Sequence, residues 1–147
     1  MPVTDAHAAA LRAFLIRDTA ATVPLARRLD GDGQARYQQF ASAALSVLAC
    51  RRFPHYDSAA VIQYVASVRV KRIADESTYD FSPVAGENVM RFSLGQTAEP
   101  QPTAQWLQAV LALLDDLSGA ELASVTDVDD LLAQSRALAD RWQHADP

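Results

Sequence analysis

The strongest constraint on the fold is the spacing of aliphatic residues between Asp57 and Asp75. At about 100° per residue, Val61, Val65 and Val68 fall on one stripe of a helix, with Ile62 and Ile73 on one flank and Tyr64 on the other. The β-branched content would also suit a buried strand. The apolar positions nevertheless follow a period near 3.6 rather than 2, and no turn residue interrupts them. Asp57 fits the start of such a helix, because its carboxylate can accept from the free amides of the first turn and suits the positive end of the dipole. Val70 lies almost opposite the stripe, which predicts contact on a second side, as for a central helix. Arg69 and Arg72 fall close to the apolar face in the last turns, where their stems can cover core and their heads reach water or the carbonyl end.

The rest of the chain repeats this style. Thr4 is placed to cap a first helix, with Leu11, Phe14, Leu15 and Ile16 as its apolar surface and Pro24 ending or kinking it. Leu25–Leu29 is expected as a short extra turn before Asp30-Gly31-Asp32-Gly33, the clearest turn in the sequence. A second helix is predicted over 34–52, with Tyr37, Phe40, Ala41, Ala44, Leu45, Val47 and Leu48 facing inward and Pro54 stopping it. After a polar loop over 76–81, Ser82-Pro83 opens a short helix that turns Val89, Met90 and Phe92 inward and closes at Gly95. Glu87 and Arg91 are spaced to pair on its solvent side. Residues 96–102, with two prolines, read as a linker. Next comes a helix over 103–118, presenting Trp106, Leu107, Val110, Leu111, Leu113, Leu114 and Leu117 and ending at Gly119. Thr126-x-x-Asp129 resembles a capping box before the last helix, whose inner face is Val128, Leu131, Leu132, Ser135, Ala139 and Trp142, with a frayed tail over 143–147.

The expected fold is therefore all-α: a compact single-domain bundle of five to six helices, centred on residues 57–75. Possible sub-units over 1–95 and 103–144 flank the linker. Half of the residues are apolar and 21% are charged, a globular balance. Abundant alanine and only 5 glycines favour helices.

The net charge of −5 is unevenly placed, at +2 over residues 1–91 and −7 over 92–147. Such halves can attract each other within one fold, or present an acidic face to a basic partner; the internal reading needs no partner. Asp115 and Asp116 lie near the carbonyl end of their helix, where negative charge is unfavourable. Their placement calls for a cationic neighbour, which Arg51, Arg52, Arg69 or Arg72 can supply. The single cysteine, Cys50, excludes an internal disulfide and fits a reducing compartment. Charged residues interrupt the N-terminal stretch, which excludes an obvious signal peptide, and the longest largely apolar run, 41–50, is too short to span a membrane. A soluble cytoplasmic location is expected. One lysine, Lys71, among many arginines points to a high-GC bacterial genome.

No chemistry-bearing motif emerges. Cys50, His55 and Asp57 are the one compact nucleophile–base–acid set, but Cys50 lies within a helix and no glycine-rich turn presents it. His7, Cys50, His55 and His144 lack metal-ligand spacing. Asp30-Gly31-Asp32-Gly33 supplies the first oxygens of a calcium loop and none of the later ones, and it lacks the lysine of a phosphate loop. No catalytic residue, cofactor or metal is assigned.

The functional expectation is a small non-enzymatic helical module for protein–protein contact, as adaptor, accessory subunit or homo-oligomer. Arg51, Arg52, Arg69, Val70, Lys71, Arg72, Asp115 and Asp116 form its candidate interaction surface. The runner-up is a nucleic-acid-binding regulator with a helix–turn–helix over 57–94, which the sequence pI near 5 disfavours. A third reading is a ligand-binding bundle with Trp106, Trp142, Met90 and the tyrosines lining a pocket. Charge reversal at Arg69 and Arg72 is expected to lower stability or assembly rather than nucleic-acid affinity.

Overall fold

The computed structural model describes residues 4–27, 29, 31–74, 81–96 and 104–145. Seven helices carry them: α1 (Asp5–Leu15), α2 (Thr19–Arg27), α3 (Gly31–Arg52), α4 (Ser58–Ala74), α5 (Pro83–Ser93), α6 (Ala104–Glu121) and α7 (Val125–Ala145). The fold is all-α, with no strand among the described residues. Packing groups the chain into two compact units, residues 1–44 with 122–147 and residues 45–121, so the division falls inside α3. Both sides of the proline-containing segment belong to the second unit. Most of the expected loop 76–81, the linker 96–102 and the end of the tail lie outside the described residues.

In the first unit the expected long N-terminal helix is two helices, which gives a count above the expected five to six. The break is at Arg17 rather than Pro24. Arg17 takes a positive φ of 60°, its amide bonds the Phe14 carbonyl at 3.1 Å and the Asp18 amide bonds the Ala13 carbonyl at 2.9 Å. That pair closes α1 as a Schellman motif in which arginine holds the place glycine usually takes. Asp18 then caps α2, its Oδ1 accepting from the Ala21 amide at 3.2 Å. Pro24 is accommodated inside α2. At the start of α1, Nδ1 of the buried His7 accepts from the Thr4 amide at 2.9 Å, closing the first turn. Leu11, Phe14, Leu15, Phe40 and Leu131 are core residues here, while Ile16 is 41% exposed rather than inward-facing.

Two further boundaries differ from the sequence reading. α3 begins at Gly31 and so absorbs most of the expected Asp-Gly turn. The final cap is set two residues early: Ser124 Oγ accepts from the Asp127 amide at 3.2 Å and Asp127 Oδ2 accepts from the Ala123 amide at 2.9 Å. Ser124 wins over Thr126 because Asp127 then stands at the third helical position and returns a bond to the preceding turn.

In the second unit α4 starts where Asp57 predicts, with Asp57 Oδ1 accepting from the Ala59 amide at 3.0 Å. Val61, Val65 and Val68 are buried, as their spacing requires. α5 starts at Ser82, whose Oγ accepts from the Ala85 amide at 3.1 Å, and ends at Gly95 with φ 77°. α6 continues through Gly119 to Glu121 instead of stopping at the glycine. Glycine inside a helix costs only about 1 kcal/mol against alanine, so it does not compel a stop. α5 approaches α4 closely at Gly86, where a Cβ would lie 2.6 Å from the Phe81 ring and 2.7 Å from a Val65 methyl. Phe92 stacks edge-on against Trp106 with ring centroids 5.7 Å apart.

Candidate interaction surface

The residues singled out from the sequence fall on different sides of α4. Toward α6, Arg72 reaches Asp115 Oδ2 at 2.6 Å and donates to the Ala112 carbonyl at 3.0 Å. Lys71 Nζ lies 3.4 Å from Asp116 Oδ1, and the Tyr64 hydroxyl donates to Asp116 Oδ2 at 2.6 Å. Arg72 is only 14% exposed and Asp116 18%, so the Arg72–Asp115 and Tyr64–Asp116 contacts are partly shielded from water, while Lys71 stays exposed. The two aspartates near the carbonyl end of α6 thus receive their cations from the last turn of α4.

The Tyr64 phenol is pushed well above its usual range, first by burial and then by its hydrogen bond to the Asp116 carboxylate; Arg52 and Arg72 pull the other way. Arg52 and Arg72 therefore act on one hydroxyl, although an antiparallel arrangement of their helices would place them at opposite poles. Between them, Phe53 packs edge-on against Tyr64 with centroids 5.5 Å apart, and the Arg52 guanidinium lies 5.5 Å from the Phe53 ring centroid. Arg51 is exposed at the end of α3. Arg69 points elsewhere, its Nε donating to the Phe81 carbonyl at 2.8 Å. Arg69, Lys71 and Arg72, the cations that gave residues 57–94 a nucleic-acid character, are thus engaged by the protein's own acceptors.

Val70 stands apart from all of these. It is 67% exposed, so the second-side contact expected for it is not made within the chain. Ile62 at 48% and Ile73 at 61% are also exposed, where the sequence pattern placed them beside the core. Between these three lie Ala59, Ala66 and Ala74, with Gln63 and Ser67 alongside, all exposed. Of the exposed residues of α4 only Lys71 is charged, and it sits at the edge, held by Asp116. The outward face is an uncharged apolar strip running the length of the helix. A solvated helix face normally carries charged and polar residues. The signal was available in the sequence as a missing charge along this arc, rather than as any motif.

Beside Ile62 the strip meets a shallow groove of about 320 Å³, lined by Tyr56, Val61, Ile62, Glu87, Asn88 and Arg91 among others. Glu87 and Arg91 share its rim and do not form the expected ion pair. Of the aromatic and methionine residues expected in a pocket, only Tyr56 lines it. Met90 and Tyr37 are core, Trp106 is buried against Phe92, and Tyr64 bonds Asp116.

Cys50, His55 and Asp57 are not joined by hydrogen bonds. The Cys50 thiol lies 3.8 Å from the Ser93 carbonyl, Asp57 caps α4, and His55 is exposed. Among the described residues no group of three or more histidine, cysteine or acidic side chains could hold a metal ion, and no helix is long and apolar enough to cross a membrane. No protein-family model, curated protein or solved structure matches the chain.

Proposed function

We propose that this protein is a non-enzymatic protein–protein interaction module whose contact surface is the outward face of α4. The observation that carries the reading is the uncharged strip with Ile62, Val70 and Ile73 at 48, 67 and 61% exposure. Interface cores are depleted of charge and rich in apolar side chains, whereas the solvated side of a surface helix is not. The internal pairing of Arg72 with Asp115 and Lys71 with Asp116 supports the same reading, because it fixes α4 and so presents the strip as a preformed surface. Preformed faces of this kind receive helices or other apolar surfaces through anchors at helical spacing.

A photo-crosslinking residue introduced at Val70, in the cells that make the protein, tests the proposal. The expected result is a covalent adduct of discrete mass that is absent when the same residue replaces the exposed Ala120. Equal, diffuse labelling at both positions would overturn it.

A further inference from the structure

We infer that the occupant of this face is a second copy of the same chain, with two α4 helices packed antiparallel across a two-fold axis at Ala66. The inference rests on the reading of α4 as a contact surface and goes on to name the partner. Two observations carry it. The first is the absence of charge along the strip, which gives an acidic or basic partner nothing to recognise and makes another uncharged strip the matching surface. The second is the order of side-chain sizes along it. A two-fold axis at position 66 sets residue 62 of one copy against residue 70 of the other, and residue 59 against residue 73.

Ile62 then meets Val70, Ile73 meets the small Ala59, and the two Ala66 residues face each other where the helices cross. Large side chains meet small or medium ones at every level, and the smallest sit at the closest approach. Knobs enter holes in this way, and an isologous interface requires the same self-complementarity. A parallel pair has no such match, since Ile73 would meet Ile73 while Ala59 met Ala59. The antiparallel sense also sets the positive end of one helix beside the negative end of the other. From Ala59 to Ile73 the strip is about 21 Å long at 1.5 Å per residue. A patch one helix wide and this long is small beside the roughly 800 Å² per partner of a standard interface, so the dimer is expected to be weak and concentration-dependent.

Sedimentation equilibrium on purified protein decides the matter, with Ile62→Glu and Val70→Lys as variants. Both positions are exposed, so both variants should keep the helical signal and melting temperature of the parent. The parent is expected to move from one chain mass toward two as concentration rises. Each variant alone should stay monomeric, with its midpoint raised about tenfold or more by a charge in an apolar contact. An equimolar mixture of the two variants should regain the dimer, because the antiparallel register places Glu opposite Lys at one contact and leaves the native Val–Ile contact at the other.

A parent that remains monomeric throughout overturns the inference, as does a dimer that neither substitution weakens. A mixture no more associated than its components overturns the antiparallel register. If the parent is monomeric while crosslinking from Val70 yields an adduct with a different protein, α4 remains a contact surface and only the identity of its occupant is refuted.

Discussion

On the side of α4 turned toward α6, four of the five titratable side chains named there, Arg72, Asp115, Tyr64 and Asp116, come within 3 Å of a charged or hydrogen-bonding partner. On the side turned to water the one charged residue exposed between Ala59 and Ala74 is Lys71, at the edge. This inverts the usual distribution, in which charges are solvated and aliphatic residues enclosed. The difference separates two kinds of design constraint. Arg72, Asp115, Tyr64 and Asp116 are explained by the fold, because each satisfies a group the other helix would otherwise leave unpaired. Ile62, Val70 and Ile73 gain little by folding, and the burial still open to them becomes favourable only on contact with another surface.

The contrast is open to attack from its strongest side first. Arg72→Glu sets a second carboxylate against Asp115 in a shielded site, and should cost about 3–5 kcal/mol in denaturant unfolding. A loss below about 1 kcal/mol would mean that the α4–α6 contact owes nothing to this pair. Gly86→Ala tests the other edge of α4, where the missing Cβ lets α5 approach. Overpacking of about 1–3 kcal/mol is expected, and Phe81→Leu in the same chain should recover part of it. Tyr64→Phe removes one donor from Asp116 while Lys71 remains, for a loss of about 1 kcal/mol.

The same tyrosine sets a pH signature. Its folded pKa is raised, so the folded state holds the phenolic proton more tightly than the unfolded chain does. That contribution is fully present below the ordinary tyrosine value of about 10 and is lost as pH climbs beyond it. Stability should therefore fall above about pH 10, and less steeply in Tyr64→Phe. Absorbance titration should show a tyrosine component, absent from Tyr64→Phe, that resists ionisation until the protein unfolds. The smallest effect belongs to the outward face. Val70→Lys should change stability by no more than about 0.5 kcal/mol, and a larger loss would place Val70 among the residues that hold the fold.

Much of the architecture could be read directly from residue order. Asp57, Ser82 and Gly95 each have a chemistry suited to one place at a helix end, and each is found there. The buried stripe Val61–Val65–Val68 follows from period alone. The α1–α2 break was illegible because it depends on an arginine in a conformation that sequence rules reserve for glycine or asparagine. Ser124 and Thr126 offered two similar caps, and only the bond from Asp127 Oδ2 back to Ala123 distinguishes them. For the candidate surface, sequence spacing placed Asp115 and Asp116 where cations were needed, and Arg72 was among those named. It set Ile62 and Ile73 beside the core because periodicity gives an angle around a helix and cannot say where neighbouring helices stop. Exposure depends on tertiary placement, which a single helix does not encode.

The close approach at Gly86 has a consequence for reading sequences related to this one. The space a methyl group would need is held by the Phe81 ring and by Val65, so the three positions can change only together. An alanine at 86 should travel with a smaller side chain at 81 or 65, while Phe81 and Val65 together should admit glycine alone. Such a linked substitution pattern would mark true relatives of this fold even where the outward face of α4 has diverged with its partner.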